Sequence, residues 1–172
     1  MLVQPGCYER MLTTLLALLL CVGAGTIGGV FFAFSVFVMR ALATIPPQQG
    51  VAAMQRINIV VINPLFLGVF LGTVVVAVVA VVLELLSLSS PRSSLVVAAA
   101  VLYVVGTFGV TMQFNVPRNN RLAHMATDSA EAAAYWPEYV RQWTQWNHVR
   151  TAAAIASCAC SAASLASWLS EP

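Results

Sequence analysis

The stretch IVVINPLFLGVFLGTVVVAVVAVVLELL, from Ile59 to Leu86, is an almost unbroken apolar run. Its only charged residue is Glu84, near the end, where a carboxylate can snorkel. It is longer than the roughly 20 helical residues that cross a hydrocarbon core. Leu15–Met39 and Leu95–Phe114 repeat the pattern. A fourth run, Val149–Leu169, is built mainly of Ala, Ser and Cys and suits a helix that faces other helices more than lipid. Composition agrees: 60% of the 172 residues are hydrophobic and 8% charged, against about a quarter charged in a soluble domain. So few charges cannot cover a surface exposed to water. The expected fold is all-α: a single integral membrane domain over residues 1–172, a four-transmembrane-helix bundle with interfacial amphipathic helices in its two long connectors.

A short tail precedes span one, and a polar connector at 40–58 leads to span two. A turn with Ser89, Ser90, Pro91 and Arg92 opens span three. A long connector at 115–148 leads to span four and a stub ending Glu171-Pro172. Span one resembles a signal-peptide core, but its length and lack of a cleavage site make it a retained helix. In the first connector, Val51, Met54 and Ile57 recur at spacings of three, as on a helix lying against the membrane. In the second, Ser129 to Ala134 is a good helix start, followed by Tyr135, Trp136, Tyr139, Trp143 and Trp146. Pro137 predicts a break and a restart there. Gly25 and Gly29, Gly68 and Gly72, and Ser157 and Ser161 are small pairs one turn apart, expected where helix backbones approach.

The net charge of +2 comes from scattered arginines with no basic tract, so nucleic acid is not an expected partner. Arg40, Arg56, Arg118, Arg121, Arg141 and Arg150 lie on the connector side, with Arg10 and Arg92 on the other. The positive-inside rule then puts the connectors in the cytoplasm. Cys7, Cys21, Cys158 and Cys160 contain no C-x-x-C. Cys158 and Cys160 fall about 200° apart on a helix, so the cysteines read as small buried thiols. That argues against a quinone-linked thiol–disulfide enzyme. His124 and His148 have no carboxylate or thiolate set beside them, so no metal site is expected.

Polar residues gather where spans begin and end, a costly place to hold them without purpose. If a helix runs unbroken from Pro137 into span four, Trp143, Asn147, Arg150 and Thr151 share one face at 100° per residue. Trp146 and His148 flank that face on opposite sides. Asn115 and Asn119, with Arg118 between them, close span three at the same end, and Asn58 and Asn63 open span two there. These groups are expected to converge on one pocket. Against this stands the ordinary aromatic and arginine belt of a membrane interface, the simpler reading for Trp136, Tyr139 and Arg141. Asn63, followed by Pro64, reads equally well as satisfying a freed carbonyl.

Several blocks together resemble the anthrone-oxygenase-like family of small integral membrane proteins, over nearly the whole chain. They are Phe32-Ala33-Phe34-Ser35 with Val38-Met39-Arg40-Ala41-Leu42; Ala53-Met54-Gln55-Arg56-Ile57-Asn58 with Asn63-Pro64-Leu65-Phe66; Phe114-Asn115-Val116-Pro117-Arg118-Asn119; and Trp143 with Trp146-Asn147-His148-Val149-Arg150-Thr151. The fungal enzymes behind the family name oxidise an anthrone to an anthraquinone, whereas many bacterial members carry only a domain-of-unknown-function label. The resemblance implies a bacterial plasma-membrane protein acting on an aromatic or polycyclic phenolic substrate, with O2 as co-substrate. It implies no further cofactor and leaves a metal open. His148 would act as base, and Arg150 or Arg118 would stabilise the enolate oxygen. Asn58, Asn63, Asn115, Asn119, Asn147 and Thr151 would bind and orient the substrate, and Trp143 and Trp146 would stack on its rings.

Two other classes compete. A non-catalytic membrane protein would bind a lipid, a quinone or a partner helix in the same polar and aromatic pocket. A proton-coupled exporter calls for a carboxylate deep in a span, and spans one, three and four have none. The exporter ranks last.

Overall fold

The computed structural model describes residues 5–87 and 91–169, with side chains from residue 11 to 84, at 86, and from 94 to 167. Ser89, Ser90, Glu171 and Pro172 lie outside the described residues, as do the side chains of Cys7, Arg10, Pro91 and Arg92. Every element described is helical. Helix α1 covers residues 5–44, its regular turns Pro5–Ala33 and Met39–Thr44 joined by a π segment, Phe34–Val38. Helix α2 is Pro47–Val60 and α3 is Pro64–Ser87. Helix α4 covers residues 91–123, with π segments at Leu102–Gly109 and Thr111–Asn115, and α5 is Ala130–Leu169.

Four of these are long and apolar enough to cross a membrane: Met11–Thr44, Pro64–Glu84, Ser94–Ala123 and Ala130–Ser167. They pack in a ring, with α5 between α1 and α4 and with α3 closing the circle against both. The first connector folds as its own helix, α2, which packs on α5 and on the end of α4. The helical residues of the second connector join their spans instead: Val116–Ala123 continues α4, and 130–148 is the first half of α5. At 1.5 Å per residue α5 is about 60 Å long, roughly twice the hydrocarbon thickness.

Three expectations need correction. Span two begins at Pro64, not Ile59, because Asn63 ends the corner after α2: its Oδ1 accepts the Phe66 N–H at 3.0 Å, and Pro64 opens the helix. Pro137 does not break α5. Tyr135, Trp136 and Tyr139 are buried in one cluster with Val51, Met54 and Leu122, and that packing holds the helix across the hydrogen bond proline cannot make. Gly29, Gly68 and Gly72 do not mark close helix contacts, since a Cβ at any of them meets nothing within 4 Å. The tight approaches are elsewhere. A Cβ at Gly106 would lie 2.5 Å from the Ala153 Cβ, and one at Gly50 would lie 2.6 Å from the Trp136 ring. Gly25 does approach span four, at the Cys158 sulfur. Ser157 donates to the Ala99 carbonyl at 2.7 Å, and Ser161 is buried.

Among the described residues, Cys21, Cys158 and Cys160 are half-buried free thiols, and the structure brings together a pair the sequence did not suggest. Cys21 Sγ and Cys158 Sγ lie 3.6 Å apart between α1 and α5.

Candidate functional site

Asn147 stands at the centre of the polar end of the bundle and is fully buried. Arginine can only donate, so the oxygen of the Asn147 amide must face Arg150, whose Nη2 lies 2.6 Å from Oδ1. That choice points Asn147 Nδ2 at α1, where it donates to the Phe31 carbonyl and to Ser35 Oγ, both at 2.7 Å. Thr151 Oγ1 donates to the Asn147 carbonyl at 2.8 Å. With that proton committed, Ser35 Oγ donates to Thr151 Oγ1 across 3.1 Å. Every bond therefore has a fixed direction, and α1 and α5 are locked together at this level. Ser35 lies inside the π segment of α1, a distortion that often accompanies functional sites.

Arg150 is 4% exposed. Its Nη1 donates to Thr111 Oγ1 at 3.3 Å, from the second π segment of α4. Its guanidinium carbon lies 4.1 Å from the centre of the Phe31 ring and 4.9 Å from that of Trp143. These aromatic faces offset part of the cost of burying the charge. None of its partners is a carboxylate, and Nε is buried with no acceptor. A buried cation with an unused donor is costly unless something negative completes it.

Asn119 supplies a second anchor. Trp143 Nε1 donates to its Oδ1 at 2.9 Å and the Tyr139 hydroxyl at 2.8 Å, which fixes the orientation of that amide too. Asn115 Nδ2 donates to the Trp143 carbonyl at 3.1 Å, tying α4 to α5. Gln55 Nε2 donates to the carbonyls of Leu122 and Met125, at 2.8 and 2.9 Å, and so fastens α2 to the end of α4.

These elements enclose a cavity of about 930 Å³, within the range for small-molecule sites. Arg150, Asn58, Asn119, Thr111 and Trp143 line it on the polar side. Its other walls are largely aromatic, with Phe31, Phe34, Phe66, Phe70 and Phe108. Arg150, in that wall, keeps a buried Nε–H with no partner among the described residues. The Asn119 oxygen already accepts twice, so the wall offers donors and favours a ligand rich in acceptors. At its edge stand Ile59, Ile62, Leu71 and Met112, all well exposed on the apolar surface. The cavity thus opens sideways, towards where lipid would be.

Among the residues expected from sequence, Asn58, Asn119, Trp143 and Arg150 line this cavity. Asn147, Thr151 and Asn115 stand behind it and hold its walls. Four lie elsewhere. His148 is exposed and lines a separate depression with Arg40 and Arg141. Arg118 bonds Gln142 Oε1 at 3.0 Å and the Phe114 carbonyl at 2.6 Å. Trp146 stacks on Phe114 with ring centres 3.5 Å apart. Asn63 serves the corner before α3. The sequence reading missed the phenylalanine lining, which inside an apolar span looks like lipid-facing surface. It also missed Ser35 and Thr111, whose signal was a hydroxyl within a hydrophobic run.

Among the described residues, no three His, Cys, Asp or Glu side chains converge as a metal site would require. No curated protein and no solved structure matches the chain. A family model does, over residues 65–160, from the first turn of α3 to the middle of the membrane half of α5; its description is anthrone oxygenase.

Proposed function

The chain belongs to the anthrone oxygenase family, and from that premise we propose that it is a membrane-embedded oxygenase for an aromatic or polycyclic phenolic substrate of the anthrone kind. The observation that carries this reading is Arg150, a buried cation without a carboxylate partner in the wall of an aromatic-lined cavity. A flat polycyclic ketone suits those walls, and its oxygen suits the Arg150 guanidinium.

In such a substrate the methylene opposite the carbonyl is acidified, because loss of its proton leaves an enolate spread over the rings. Arg150 favours that anion in a site with little water, as preorganised donors do at an oxyanion. Among the described residues no imidazole or carboxylate lines the cavity, so the protein's part is to stabilise the ionised substrate while the proton leaves to water at the polar end, where the exposed Asn120 lines the cavity. The enolate carbon then reacts directly with O2 to give a peroxide anion, which takes up a proton. Loss of the second hydrogen from that carbon, with water as the leaving group, forms the new carbonyl. The balance is one anthrone and one O2 to one anthraquinone and one water, with no further cofactor.

The test is O2 uptake by purified protein with a panel of anthrones and hydroquinones, with product analysis and metal analysis alongside. Uptake matched one to one by quinone supports the reading. Absence of uptake, with a lipid or quinone held tightly through purification, would instead identify a binding protein.

A further inference from the structure

We propose that the depression holding His148 is a binding site for the phosphate headgroup of an anionic phospholipid, separate from the cavity and independent of the oxygenase reading. It has a volume of about 300 Å³ and lies between the end of α1 and the middle of α5. Arg40 reaches it from α1, and Arg141, Thr144, Gln145 and His148 from α5, while among the described residues no carboxylate lines it. The Thr144 hydroxyl is buried with no hydrogen-bond partner. Among the described residues, Arg40, Arg141, Gln145 and His148 have no hydrogen-bond or ion-pair partner either. Two guanidinium groups, an amide, a hydroxyl and an imidazole converge with nothing to bind inside the chain. That donor set matches a phosphate and repels none of its oxygens.

What lies below the depression points to a lipid as the source of that phosphate. On α1, Phe32, Val36 and Arg40 follow at spacings of four, and the first two are exposed. On α5, Arg141, Gln145, His148, Ala152 and Ile155 follow at spacings of three and four, again exposed. The two helices are antiparallel neighbours. Both faces therefore run from cations at the connector end to bare apolar side chains deeper in the bundle. A phosphodiester between the arginines would lay its acyl chains over Val36, Phe32 and Ile155. Basic pockets between spans that take acidic headgroups are built this way.

The test is lipid retention after reconstitution into vesicles of phosphatidylglycerol and phosphatidylcholine, extraction and native mass spectrometry of the whole chain. Wild type should keep phosphatidylglycerol in preference to phosphatidylcholine, and excess inorganic phosphate should not displace it. The R40Q/R141Q variant should lose about twenty-fivefold in retention, from two roughly fivefold losses. R40K/R141K should keep most of it, and R56Q, at an exposed arginine outside the depression, should match wild type. Equal retention of both lipids, unchanged retention in R40Q/R141Q, or complete displacement by inorganic phosphate would overturn the proposal. Because R40K/R141K preserves the charges, a loss there equal to that of R40Q/R141Q would also overturn it, as a general disturbance of the bundle.

Discussion

Asn147 and Arg150, one helical turn apart on α5, are joined at 2.6 Å in a bond that can run only from guanidinium to amide oxygen. That one bond orients the amide, and the amide in turn clamps α1 through Phe31 and Ser35. The lock between two spans and the placement of the buried cation are thus a single arrangement.

Asn147→Leu should be among the more destabilising single changes in the chain. It strands the Phe31 carbonyl, Ser35 and one edge of Arg150 in a buried setting. A loss of about 3 kcal/mol is expected, read as a lower midpoint of denaturation in mild detergent. A midpoint equal to wild type would mean the clamp carries no weight.

Arg150→Met should separate activity from stability. Met keeps an unbranched apolar stem but ends two atoms short of the guanidinium nitrogens, and removing an uncompensated buried charge offsets the acceptor left on Asn147. Turnover of an anthrone should fall by about a hundredfold or more, with a thermal midpoint equal to or above that of wild type. A marked fall in the midpoint would show that the cation serves the fold instead.

Gly50→Ala tests how α2 closes the cavity. The new methyl group would lie 2.6 Å from the Trp136 ring, which is buried and stacked on Tyr139. Overpacking of this kind costs about 1–3 kcal/mol. Because α2 carries Gln55 and Asn58, its displacement should also raise KM. Unchanged stability and KM would show that α2 can shift without consequence for the cavity.

Met112→Trp bears on the sideways opening. Met112 is half exposed and lines the cavity edge, so a larger side chain there should slow entry without disturbing the core. The expected pattern is a lower kcat/KM for substrate delivered in vesicles, with kcat and thermal midpoint close to wild type. An unaltered kcat/KM would place the route of entry elsewhere.

Much of this was legible in the chain. The apolar runs announced the four crossing helices, and counting 100° per residue from Trp143 brought Asn147, Arg150 and Thr151 to one face. The same count set His148 on the flank of that face, where the structure has it, turned to α1 and away from the cavity. Its chemistry, more than its angle, made it look catalytic. The lining by Phe31, Phe66, Phe70 and Phe108 was not legible, because in a membrane helix the side facing lipid and the side facing a cavity are both apolar. Nor were the π segments at Phe34–Val38 and Thr111–Asn115, which shift the register by one residue without altering the pattern of residue types. Pro137 misled because local propensity yields to the packing of Tyr135, Trp136 and Tyr139.

The central claim is that Arg150 is held in reserve for the anion of a bound substrate. The most direct measurement is the absorption spectrum of anthrone mixed with the protein under argon, where no oxidation can follow ionisation. The account predicts the enolate band in the bound fraction at a pH where free anthrone stays neutral, and loss of that band in Arg150→Met. Bound anthrone that remains neutral in wild type, or an enolate band of equal strength in the variant, would contradict it.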